Sequence, residues 1–197
     1  MDEKSKGKKV YAATKSIIKM IEETFDEPEQ KAIRAKLRNS IGKPALVNID
    51  VLGMVFPSIP YDFLGNGALT YEEDAILTSL QLYALHKQGT NESVMPEDGN
   101  ITGLGASLGM MRRGEETKAI DRRFNAMITA ESFDELKIHL RHLIKLLKSK
   151  EETAKVDYPL LAENLFWIEN GYNENVKLRW ARDYYRINIK GEGKDEK

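Results

Sequence analysis

The residues whose chemistry could serve a reaction are few. The 197-residue chain has no cysteine, which excludes thiolate nucleophiles, disulfides and cysteine-based zinc sites. Its three histidines are His86, His139 and His142. His86 ends an apolar helix-period run just before a glycine, where capping carbonyls is the expected role. His139 and His142 lie three apart on a basic segment, a spacing that suits either metal or phosphate, or simply solvated flanks of a leucine seam. The pairs Glu72-Glu73, Glu115-Glu116 and Glu151-Glu152 fall at helix starts or in loops, where carboxylates complement the helix dipole. A metal-assisted hydrolase would need those pairs to converge. Gly103-Leu-Gly105-Ala-Ser-Leu-Gly109 mimics a dinucleotide fingerprint but lacks the strand and βαβ unit that the chemistry requires. Its small residues suit a close helix approach, or a backbone passing near a phosphate. The sequence predicts a chain that is not an enzyme and holds no metal or cofactor.

Clustered cations are the remaining signal. Formal net charge is −1, yet Lys31, Arg34, Lys36, Arg38 and Lys43 form a run without an acid. Between Met110 and Lys150 ten Lys or Arg face six Asp or Glu. Lys137, Arg141, Lys145 and Lys148 recur at i, i+4, i+8 and i+11, one stripe on a helix. Solvation is the ordinary purpose of such a stripe. Here it has few acidic neighbours, and Arg112-Arg113 and Arg122-Arg123 add bidentate phosphate ligands upstream. The pattern points to nucleic-acid backbone contact, which confers affinity without reading sequence. Tyr and Trp do not interleave with these cations, so base stacking is not the expected main mode. The alternative is a helical adaptor that binds protein partners and contacts no nucleic acid.

The elements that must carry these residues are helical throughout. Val10 to Phe25 has an amphipathic period, with residues 1–8 expected to fray. Asp26-Glu27-Pro28-Glu29 starts a second helix that turns Ile33, Leu37 and Ile41 inward and sets Lys31, Arg34 and Arg38 on another face. Ala45 to Phe56 suits a short helix running into a loop. Thr70-Tyr-Glu-Glu73 is a capping box for a heavily buried helix ending near Lys87. Further helices are expected around Leu104–Met111, around Ile120–Ile128, from the Ser132 cap, from Asp157, and from Asn173 or Glu174 through Ile187. Gly191–Lys197 reads as a charged tail. The expected fold is all-α, a helical bundle of about eight helices in two packed lobes without significant sheet. Residues 9–88 would form the first lobe, 89–100 a linker and 101–190 the second lobe, a C-terminal helical bundle.

No apolar window reaches the roughly 18 residues of a membrane span, and the lysine-rich N-terminus lacks the apolar core of a signal peptide. The expected location is cytoplasmic.

Several motifs resemble one family. They are Ala106-Ser-Leu-Gly109, Ile120-Asp-Arg-Arg-Phe124, Glu135-Leu136 with Leu140-Arg141, Val156-Asp-Tyr-Pro-Leu-Leu161, Trp167 and Trp180-Ala-Arg-Asp-Tyr-Tyr185. Ile33-Arg-Ala-Lys-Leu-Arg38 and Leu80–His86 fall upstream in matching order. Together, over residues 10–187, they resemble the small subunit of the type I-E CRISPR Cascade complex, the CasB family. Met110-Met111 stands where a basic residue is expected, with Arg112 and Arg113 just after it, and residues 45–70 match no motif. The resemblance implies an all-helical, non-enzymatic subunit present as two copies beside the backbone and large subunits. It would lie along the guide RNA–target DNA hybrid and hold the displaced strand. By resemblance, phosphate contact falls on Arg34, Lys36, Arg38, Arg122, Arg123 and Arg141. Stripe geometry adds Lys43, Arg112, Arg113, Lys137 and Lys145.

Overall fold

The computed structural model describes residues 3–97 and 99–186, all helix, turn and loop without a strand among them. Among the described residues nine α-helices run in order: α1 Glu3–Glu23, α2 Glu27–Asn39, α3 Ile49–Val55, α4 Tyr71–His86, α5 Leu104–Gly109, α6 Thr117–Ile128, α7 Phe133–Lys150, α8 Tyr158–Trp167 and α9 Asn173–Arg186. Ile187 and the charged tail fall outside the described residues. The stretch without a motif, 45–70, holds α3 between short 3-10 turns.

Local signals set most boundaries. Asp26 accepts the Glu29 N–H at 3.0 Å at the start of α2. Thr70 accepts the Glu73 N–H at 3.2 Å while the Glu73 carboxylate accepts the Thr70 N–H at 2.7 Å, a complete capping box. Ser132 accepts the Glu135 N–H at 3.1 Å. Helix α1 departs from expectation by starting at Glu3 instead of near Val10. Its first turns are held in place: Lys6 bonds Glu72 at 3.1 Å and Lys9 bonds Asp62 at 3.0 Å. Gly7 also presses on the Trp167 indole, where a Cβ would come within 2.7 Å.

The described residues form two compact units, one within 1–91 with 158–171, the other within 92–157 with the chain from 172 onward. In the first, α8 packs against α1 and α4, and α4 against α2. Helix α4 is buried nearly all round, from Ala75 to His86, as its apolar composition requires. Ser79 donates to the Tyr158 carbonyl at 2.7 Å. His86, expected to cap carbonyls, is buried with Nδ1 2.9 Å from the Tyr158 hydroxyl. The expected second lobe, 101–190, spans α8. Helix α8 joins the earlier helices instead, because its apolar faces find their complement there.

In the second unit α6 packs on α7 and α5 on α9. The stretch read as a linker is partly built in: Val94 is buried, and its carbonyl accepts the Val156 N–H at 2.9 Å. Thr102 likewise accepts from Asp157 at 3.0 Å. Gly105 explains the glycine-rich run, since a Cβ there would lie 2.2 Å from the Trp180 carbonyl oxygen. The small residue serves a close helix approach, not a pyrophosphate.

That contact yields a stability comparison. Gly105→Ala sets a methyl against backbone and should destabilise by about 2–3 kcal/mol. Gly53→Ala, in α3 with nothing within 4 Å of its Cβ, should instead gain a few tenths or more from helix propensity. Chemical denaturation of the two variants checks both signs.

Candidate nucleic-acid interface

The first unit's basic run divides between interior and surface. Arg34 is buried, with Nη1 2.6 Å from Glu22 and 3.3 Å from the Gln30 side-chain oxygen. The same Glu22 carboxylate takes the Tyr83 hydroxyl and lies 3.9 Å from the buried Lys87 amine. Burial, then the Glu22 bond, pushes the Tyr83 phenol far above its usual range. Glu22, Gln30, Arg34 and Lys87, with Glu27, Thr90 and Asn91, line a polar cavity of about 320 Å³. Arg34 was expected on an outward face beside Lys31 and Arg38. It turns inward instead, because α1 supplies Glu22 opposite it. Lys36 is exposed and paired with Asp50 at 2.8 Å, Arg38 is half-buried and Lys43 is exposed.

The second unit divides in the same way. Arg112 is locked: Nε donates to Asp121 at 2.8 Å and Nη2 at 3.2 Å, and the guanidinium stacks 5.1 Å from Tyr184 and 4.7 Å from Tyr185. Asp121 also accepts from Tyr184 at 2.7 Å. Burial pushes the Asp121 carboxyl up, but its bonds from Arg112 and Tyr184 outweigh that and hold it below the usual carboxylate range. The expected phosphate ligand Arg112 is therefore an internal strut. Arg113 is exposed and 3.9 Å from Glu151.

On α6, Ile120, Phe124 and Met127 face the core, leaving Arg122 and Arg123 exposed. Arg123 donates to the Ala119 carbonyl at 3.1 Å. On α7 the leucine seam is buried as expected, and the stripe flanks it. Lys137 is half-buried, 2.9 Å from Asp134 and over the Phe133 ring. Arg141 is half-buried, with an Nε that finds no partner among the described residues, and Lys145 is exposed. His139 lies 3.6 Å from Glu135. Among the described residues no three His, Asp or Glu are grouped to hold a metal, and no helix is long and apolar enough to cross a membrane.

Helix α9 adds cations outside the expected set. Arg179, Arg182 and Arg186 recur at i, i+3 and i+7 on its exposed side, with Tyr185 39% exposed among them. Leu178 is exposed there too. The arginine spacing was readable in the sequence, as was its interleaving with Tyr184-Tyr185.

The Arg112–Asp121 pair has a sign to check. A carboxyl depressed in the folded state stabilises fully above its unfolded value, and that contribution is lost as pH falls through the folded one. Asp121→Ala, which leaves Arg112 unpartnered, should cost about 2 kcal/mol at neutral pH. The gap to the parent should narrow as pH falls below about 4. Denaturation midpoints measured across that range check this.

Comparison with known proteins follows the same outline. CasB from M. ruber superposes with a TM-score of 0.72 at 18% identity, covering 93% of this chain and 98% of that one. CasB from Thermobifida fusca gives 0.66 at 24%, with 91% and 97% covered. A chain of a structure described as a CRISPR RNA-guided surveillance complex gives 0.65 at 21%, with 93% and 99% covered. These likenesses establish the fold. Among curated proteins no significant match is found. A sequence model of CRISPR-associated protein Cse2 matches residues 33–185, well over half the length, and the chain therefore belongs to the CRISPR-associated protein Cse2 family.

Proposed function

We propose that this chain is a non-catalytic small subunit of a cytoplasmic, Cascade-type RNA-guided surveillance complex. Its partners are the backbone and large subunits and a second copy of itself. Its exposed basic helix faces hold the guide RNA–target DNA hybrid and the displaced strand through their phosphates, in defence against invading DNA. Exchanging a DNA duplex for a hybrid is nearly balanced in free energy, so modest backbone contacts can tip it.

The observation that carries the nucleic-acid part is the pair Arg122-Arg123. Both are exposed on α6, and neither makes an ion pair among the described residues, unlike Arg34 and Arg112. Arg38, Lys43, Arg113, Arg141 and Lys145 join them as contacts. Lys36 and Lys137 each hold a carboxylate in a partly or fully exposed pair. Such pairs contribute little, so a phosphate can replace the acid. Arg34 and Arg112 support their units from within.

A second reading, a protein adaptor without nucleic-acid contact, rests on the exposed apolar cluster Leu46, Val47 and Ile49 in the first unit; Leu46 is 74% and Ile49 63% exposed. Electrophoretic shifts across a salt series separate the two. Affinity for a guide–target hybrid or a single strand should fall steeply with salt. Arg122→Ala with Arg123→Ala should reduce the slope of log affinity against log salt by roughly one to two. Salt-independent binding, or binding indifferent to that double variant, would sink the nucleic-acid reading. Co-purification of the complex surviving nuclease, with no shift, would favour the adaptor.

A further inference from the structure

Tyr185 is the exposed aromatic residue that tertiary packing places among outward cations. Its hydroxyl donates to Asn125 Oδ1 of α6 at 2.9 Å. Phe124 and Tyr184 stack with centroids 3.6 Å apart, and Tyr185 meets both nearly at right angles, at 6.0 and 4.9 Å. Arg112 lies 4.7 Å from its ring centre. The ring is therefore fixed in direction while 39% of the residue remains open. Asn125 shares the outward side of α6 with Arg122, three residues earlier, and with Lys118. Tyr185 shares the outward side of α9 with Arg182 and Arg186. The Tyr185–Asn125 bond thus joins two exposed rows, Lys118–Arg122–Asn125 and Arg182–Tyr185–Arg186. Arg122 and Arg182 have no side-chain hydrogen bond or ion pair among the described residues.

We propose that this α6–α9 seam is a single-strand site, in which Tyr185 stacks on an unpaired base while Arg122 and Arg182 hold the phosphates on either side. The proposal rests on the nucleic-acid reading above and goes beyond it. A surface of cations alone grips any phosphate backbone. A fixed, open aromatic ring between cations adds affinity only for a strand whose bases are unstacked and free to turn out. A duplex or hybrid, with its bases paired inside, gains nothing from the ring. The seam therefore selects the displaced strand, or an unpaired portion of the guide, over the hybrid. Arg112 and Asp121 act as positioning residues: they set the ring without touching nucleic acid.

The test uses the full chain and two fluorescein-labelled single-stranded oligonucleotides of equal length, one of thymidines and one of abasic sites. Both carry the same phosphates, so they differ only in what can stack. The parent chain should bind the thymidine strand roughly tenfold more tightly than the abasic one, the scale of one base stacked on an aromatic ring. Tyr185→Ala should erase that difference. Tyr185→Phe, which keeps the ring and loses the Asn125 bond, should retain most of it. Arg182→Ala should weaken both strands alike and lower the salt slope. Equal affinity of the parent chain for the two strands overturns the stacking proposal while leaving phosphate contact intact. Absence of salt-dependent binding to either overturns the nucleic-acid reading and this proposal with it. The comparison on the parent chain needs no substitution, so a variant that fails to fold does not obscure the answer.

Discussion

The exposed chemistry of the second unit depends on one buried arrangement, the Arg112–Asp121–Tyr184 network beside the Phe124–Tyr184 stack. Asp121 and Phe124 belong to α6, Tyr184 to α9, and Arg112 to the turn after α5. A partly buried carboxylate that accepts from a guanidinium and a phenol ties three segments at one point. Each partner satisfies a group that would otherwise be costly to bury. Because α6 and α9 are fastened there, their outward faces must adjoin, and Arg122 and Tyr185 come to share a surface.

A similar rule sorts the cations in both units. Where a neighbouring helix offers a carboxylate from the core side, the arginine turns inward. Glu22 captures Arg34 as Asp121 captures Arg112. Where the core side offers only apolar groups, as for Arg122 and Arg123 on α6, the cation stays outside with its charge in water. Placing a charge inside without a partner costs far more than an exposed ion pair returns. The basic surface is thus smaller than the count of Lys and Arg suggests, and better defined.

The first unit also carries an apolar surface. Leu46, Val47 and Ile49 stand exposed together on the first unit, while α3 buries Val51, Leu52 and Val55 on its other side. An apolar cluster of that kind suits protein contact.

The all-helical class, the caps at Asp26, Thr70 and Ser132, the leucine seam of α7 and the buried character of α4 all follow from local pattern. Periodicity and capping act within a few residues and need no knowledge of the rest of the chain. The family motifs were legible too, since their order survives in one dimension. Three matters belonged to tertiary structure alone. Arg34 and Arg112 became internal because acids on other segments met them. Helix α8 packed with α1 and α4, a choice among apolar partners that its own sequence does not encode. Tyr185 took its place beside Asn125, on the α6 face that carries Arg122, from 60 residues away. Spacing along a helix tells which residues share a face; only packing decides whether that face meets a carboxylate, a core or water.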